Sequence, residues 1–123
     1  MSLLFDTSIL IDFMRGRPEA VSLVSSHDRK SGLSVVTVAE LFTGAKRQNE
    51  ESEIRDLVLE WQVFVVSQSI AELAGAHVKH FGASHSLELP DALIAATAEH
   101  HGLALATLNV KHFPMFKKLR APY

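Results

Sequence analysis

The 123-residue chain contains no cysteine, which removes disulfides, thiolate metal sites and cysteine nucleophiles together and makes a reducing cytoplasm the expected setting. It has no excess of positive charge: twelve Lys and Arg stand against fourteen Asp and Glu, for a net charge of -2. Gripping long nucleic acid through charge alone is therefore excluded, and any contact with nucleic acid must be local. No apolar run approaches the roughly 18 residues of a membrane span. The amino-terminal run from Met1 to Phe5 meets Asp6 too soon to form a secretory signal. A soluble, cytoplasmic protein with no membrane contact is expected. Repeats, low-complexity tracts and linkers are also missing, and Pro and Gly fall singly where turns belong. What is present, 47% hydrophobic and 21% charged residues, suits one domain over residues 1–123 that buries roughly two thirds of its unfolded surface.

Hydrophobic periodicity divides the chain into alternating strands and helices. Leu3-Leu4-Phe5 reads as a short buried strand, followed by Asp6-Thr7-Ser8, whose side chains suit the cap of a helix beginning at Ile9-Leu10-Ile11. Arg15-Gly16-Arg17-Pro18 ends that helix and starts another. Leu33 to Val36 reads as a second strand, and Thr37 to Glu40 has the form of a capping box for a helix with Val38, Leu41, Phe42 and Ala45 on its apolar face. Ile54, Leu57, Val58 and Trp61 mark a further helix before Val63 to Val66, a third strand. Ser69 to Glu72 resembles another capping box, Gly82 to Leu89 reads as a loop, and Pro90 opens a helix through Ala98 that is apolar nearly all round and hence buried. Gly102 stops it, Leu103 to Ala106 forms a fourth strand, and the tail near Leu119 is read as a short fifth. The fold class expected is α/β, a mainly parallel four- to five-stranded sheet flanked by helices.

In such a sheet right-handed crossovers put helix starts at the carboxyl edge of the strands, where ligands bind. Asp6 ends strand one, Glu40 begins the helix after strand two, and Thr107, Leu108 and Asn109 follow strand four. Gly102 ties the preceding helix to the start of strand four, so Asp91, at the other end of that helix, returns to the same edge. Each acid taken singly is ordinary at a helix start, where the dipole favours negative charge. Their convergence is not. Two carboxylates about 5 Å apart repel by about 3 kcal/mol at an effective dielectric near 20, so three together call for a cation. Oxygen ligands without cysteine select a hard ion, Mg²⁺ or Mn²⁺, whose natural chemistry here is the attack of water on a phosphodiester.

Four segments, Leu4 to Asp12, Ser34 to Leu41, Leu89 to Ala98 and Ala106 to Phe113, together resemble the PIN-domain nucleases, and among them the VapC-type toxins of toxin–antitoxin pairs. The likeness spans nearly the whole chain, in order. It implies a PIN-like domain with divalent-metal-dependent endoribonuclease activity on RNA, leaving a 5′-phosphate and a 3′-hydroxyl. It also implies a homodimer, held inactive by a cognate antitoxin protein that brings it to DNA only indirectly. By motif match Asp6 and Asp91 are implied as metal ligands, with Glu40 completing the acidic cluster directly or through a water. The family's fourth corner is often an acid at the position of Asn109 or of His112, and this sequence has none at either. Asn109 retains an amide that can orient a water, and Thr107 a hydroxyl that can donate to a phosphate or an outer water. The missing charge bears on the number of metal ions.

Other polar groups have plainer readings. Asp12 reads as a structural hydrogen-bonding group near Asp6 or an arginine; Arg15, Arg17, Lys46, Arg47, Lys111 and His112 read chiefly as solvated surface, with some able to flank a cleft. His77 and His80 have helical spacing without a further ligand. Phe13, Phe42, Trp61 and Phe64 fall at core positions. Two other functions fit parts of the pattern. A catalytically silent PIN adaptor would account for the absent fourth acid. A phosphoacceptor receiver domain would use Asp6, Asp12, Thr107 and Lys111, but lacks an acceptor acid after strand three, where Val66 leads into Ser67 and Gln68.

Overall fold

A computed structural model describes residues 2–123. The apolar triplet Leu3–Phe5 forms β1, with Leu4 and Phe5 buried on opposite faces. After Asp6, helix α1 (Thr7–Met14) runs until Gly16, whose φ of +78° turns the chain toward α2 (Pro18–Ser25), with Pro18 at its start. Next come β2 (Gly32–Ser34), α3 (Val35–Gly44), α4 (Gln48–Glu60) and β3 (Gln62–Phe64). The order closes with α5 (Gln68–His85), α6 (Leu89–His101), β4 (Ala104–Ala106) and a single 3-10 turn, Val110–His112. All strand pairs are parallel, in the order β3-β2-β1-β4, with Leu3 to Phe5 aligned on Ala104 to Ala106.

The sheet carries a core on each face. Phe5, Leu33 and Ala106 pack with Ile9, Leu10, Val24, Leu41, Ile54 and Leu57 from α1 to α4. On the other face Leu4, Phe64 and Leu105 meet Ile94, Ala95 and Ala98 of α6, while Ala92 and Ala96 of that helix also pack on Ile70 and Ala74 of α5. Helix α6 thus lies between the sheet and α5, the buried position that its all-round apolar sequence predicts. No helix among the described residues is long and apolar enough to cross a membrane.

The α/β architecture with a parallel sheet matches the sequence reading, and four local expectations are corrected. Helix α3 starts at Val35, capped by Ser34 through its hydroxyl to the Val36 amide, so Thr37 to Glu40 is no capping box and Glu40 sits in the second turn. Ser67, rather than Ser69, caps α5 by accepting from the Ile70 amide. The segment from Gly82 to His85 continues α5 as helix, ended by Ser86 in the left-handed region at φ 53°. Nothing near Leu119 forms a fifth strand among the described residues. Pro114 and Pro122 interrupt the tail, which packs Phe113, Met115, Phe116 and Leu119 against the sheet face instead.

Candidate active site

The parallel sheet brings the ends of β1 and β4 and the start of α6 to one edge. Asp6 occupies the N-cap position of α1 with extended backbone, yet its side chain makes no cap hydrogen bond. It is 3% exposed, and its Oδ2 accepts instead from Thr107 Oγ1 at 2.6 Å and from Ser8 Oγ at 3.2 Å. The ordinary reason for an acid at a helix start therefore does not account for Asp6. Its other oxygen, Oδ1, carries no hydrogen bond among the described residues and is not sealed from solvent, which leaves it available to a ligand.

Glu40 reaches the same edge from α3. Its Oε1 accepts from Thr7 Oγ1 at 2.7 Å, and Thr7 in turn lies 3.1 Å from the hydroxyl of buried Thr37. Asp91 stands in the first turn of α6, where Pro90 occupies one of the opening positions and the side chain of Glu88 makes no cap. Burial pushes the Asp91 carboxyl above the ordinary carboxylate range, the charge of Asp6 adds to this, and Glu40 contributes more weakly. His112 opposes them, with its Nδ1 3.2 Å from Asp91 Oδ2.

Asp91 must then hold its proton more tightly in the folded than in the unfolded chain. Stability from this group is greatest below the unfolded carboxylate value and declines as pH rises through the folded one. Asp91→Asn, which keeps an oxygen to accept from His112, is expected to raise the melting temperature at pH 7 in the presence of a chelator. The gain should vanish below about pH 4, where the unfolded carboxylate is itself protonated. A variant less stable than wild type at pH 7 would contradict the like-charge account.

Asn109 and Thr107 differ in what they offer. The Asn109 backbone amide donates to Thr107 Oγ1 at 2.9 Å, and its side chain is exposed beyond β4, open to an incoming group. Thr107 is fully buried and its single hydroxyl proton goes to Asp6, so it is placed to hold that carboxylate rather than to meet a phosphate. Asp12 faces away from this group: its Oδ2 accepts from the Tyr123 hydroxyl at 2.8 Å and pairs with Arg17 at 3.3 Å. Burial and Asp12 together push the Tyr123 phenol up to about 12. Thr7 and Ser8 escaped the sequence reading as functional groups because hydroxyls after a strand read as helix caps. Their position directly behind Asp6 was the available signal.

Every donor at this edge is a hard oxygen apart from the imidazole of His112, which suits Mg²⁺ or Mn²⁺. Among the described residues, no three of His, Asp and Glu gather closely enough to wrap one ion. Asp91 senses the charges of Asp6 and Glu40, yet the three carboxylates do not enclose a common point. That fits an ion which holds one or two carboxylates and keeps most of its waters, and does not fit a closed structural cage.

Comparison with known proteins adds to this geometry. The family described as PIN domain matches residues 3–119. The chain is 42% identical to "Ribonuclease VapC10" of Mycobacterium tuberculosis, covering 98% of this chain and 92% of that protein. It is 35% identical to "Ribonuclease VapC19" of the same organism, covering 98% of each. Among solved structures, a toxin-antitoxin complex from Klebsiella pneumoniae contains a chain similar at a TM-score of 0.84 and 36% identity, covering 100% of this chain and 98% of that one.

Proposed function

The chain belongs to the PIN-domain family, and from that premise we propose that it is the ribonuclease toxin of a toxin–antitoxin pair, cleaving RNA phosphodiesters with a divalent cation, Mg²⁺ or Mn²⁺. The observation that carries the reading is the state of Asp6, a buried carboxylate that caps no helix and acts electrostatically on Asp91, which also feels Glu40. The ribonuclease names of the relatives and the toxin-antitoxin complex among similar structures support the biological role.

On this reading Asp6 and Asp91 hold the cation and Glu40, tethered by Thr7, acts on it through a water. When bound, the ion supplies positive charge at the phosphate and makes water a stronger acid. The chain's own contribution is to fix the acids before the ion arrives. Thr107 and Ser8 hold Asp6 Oδ2 and leave Oδ1 for ligation. Asn109, exposed at the rim, offers its amide to a phosphate oxygen or an ordered water. With a net charge of -2 the chain has no basic excess with which to bind DNA, so DNA contact is assigned to the antitoxin. A cytoplasmic homodimer completes the proposal.

The test is cleavage of RNA by the purified chain with Mg²⁺ or Mn²⁺, followed by chelation. Activity is expected to disappear with chelator and to return when either ion is restored, and the products should carry 5′-phosphates. A folded chain that binds neither ion near neutral pH and leaves RNA intact would favour the catalytically silent adaptor.

A further inference from the structure

The segment after β4 touches both principal carboxylates. At its start Thr107 donates to Asp6, and the Leu108 amide donates to Ser8, which itself holds Asp6. Five residues on, at the end of the 3-10 turn, His112 reaches Asp91. An ionised carboxylate only accepts hydrogen bonds, so His112 Nδ1 is the donor in this pair. The next residue, Phe113, is 1% exposed and packs with Ile94, Ala95 and Ala98 of α6, the helix that carries Asp91. The imidazole is therefore held against its partner by a buried anchor on the same helix, although its own side chain is 59% exposed.

Asp91 needs such a hold. Its side chain is 26% exposed and lies in the repulsive field of Asp6, so an unrestrained carboxylate would turn toward solvent and away from the second ligand. We propose that His112 is a positioning residue whose Nδ1–H holds the Asp91 carboxylate at the site, so that a divalent cation meets Asp6 and Asp91 already set. The stretch from Thr107 to Phe113 then acts as one bracket spanning two ligands supplied by β1 and α6. This inference rests on the metal-dependent reading given above.

The test compares the full-length wild type with His112→Ala and His112→Asn, titrating Mn²⁺ alone by electron paramagnetic resonance and then measuring RNA cleavage. Asparagine carries an amide N–H near the position of Nδ1 and lacks the outer half of the ring. For alanine, Mn²⁺ affinity is expected to fall about ten- to hundredfold, the size usual for losing a partner of a metal ligand. Its kcat should fall while KM for RNA holds, and asparagine should restore most of both losses. Circular dichroism in chelator should show the native fold in both variants, with at most a small drop in melting temperature from the lost hydrogen bond to Asp91, because the side chain is largely exposed. Wild-type Mn²⁺ affinity and kcat in His112→Ala would overturn the proposal while leaving the ribonuclease reading intact. So would a raised KM at constant kcat, which would assign His112 to RNA contact, or a folded asparagine variant no better than alanine. A wild type that neither binds Mn²⁺ nor cleaves RNA would sink both readings.

Discussion

Asp6→Asn is expected to lower RNA cleavage by about a thousandfold or more, since a lost metal ligand forfeits several kcal/mol of transition-state stabilisation. The substitution keeps the size of the side chain and an oxygen able to accept from Thr107 and Ser8, so the local packing has no reason to change. What it removes is the negative charge. Two further observations should accompany the loss. Added Mg²⁺ should raise the melting temperature of the wild type, because a ligand that binds only the folded state stabilises it, and should leave the variant's almost unmoved. Asp12→Asn, which alters an acid engaged with Arg17 and Tyr123 elsewhere, should cleave RNA at the wild-type rate. Undiminished cleavage by folded Asp6→Asn would remove the basis of the proposed mechanism.

The second large effect concerns the frame that holds the acids. Gly32 opens β2 between β1 and β3, aligned with Leu4 on one side and Gln62 on the other. A Cβ placed there would stand 2.1 Å from the backbone oxygen of Gln62 and 3.0 Å from a ring carbon of Phe64. The oxygen belongs to the main chain at the β2–β3 pairing and cannot yield without opening the sheet. Gly32→Ala is therefore expected to cost more than about 4 kcal/mol, much of the stability a domain of this size possesses. Urea denaturation followed by circular dichroism should show a collapsed midpoint or no cooperative transition. Gly75→Ala supplies the contrast: inside α5, with nothing within 4 Å of the added atom, it should be neutral or stabilising by about 0.5–1 kcal/mol. Equal behaviour of the two variants would refute the steric account.

Much of this frame is legible in the sequence because hydrophobic burial writes it there. The alternation of short strand segments with helix-period segments gives the parallel sheet, and the unbroken apolar run Ala92-Leu93-Ile94-Ala95-Ala96 places α6 inside. Chain direction then carries Asp6 and Asp91 to one edge. Hydroxyl chemistry is less legible, since Ser and Thr before a helix satisfy several templates equally. Ser34 captures the cap of α3, which moves Glu40 into the second turn and leaves Thr7, from another helix, to tether it. The break expected at Gly82 fails for a similar reason: a lone glycine costs a helix only about 1 kcal/mol, and Phe81, packed in the cluster with Ile70 and Ala74, lies beside it. The pairing of His112 with Asp91 is tertiary, across 21 positions, and no local pattern announces it.

Asp6 and Thr107 are separated by 101 positions, yet the buried carboxylate depends on that hydroxyl for its shortest hydrogen bond. During synthesis Asp6 emerges 101 positions ahead of Thr107. A chain that stops short of β4 therefore carries this acid without its inner support and without the strand beside it. The order of translation itself leaves the setting of this acid unfinished until the segment carrying β4 and Thr107 has been made.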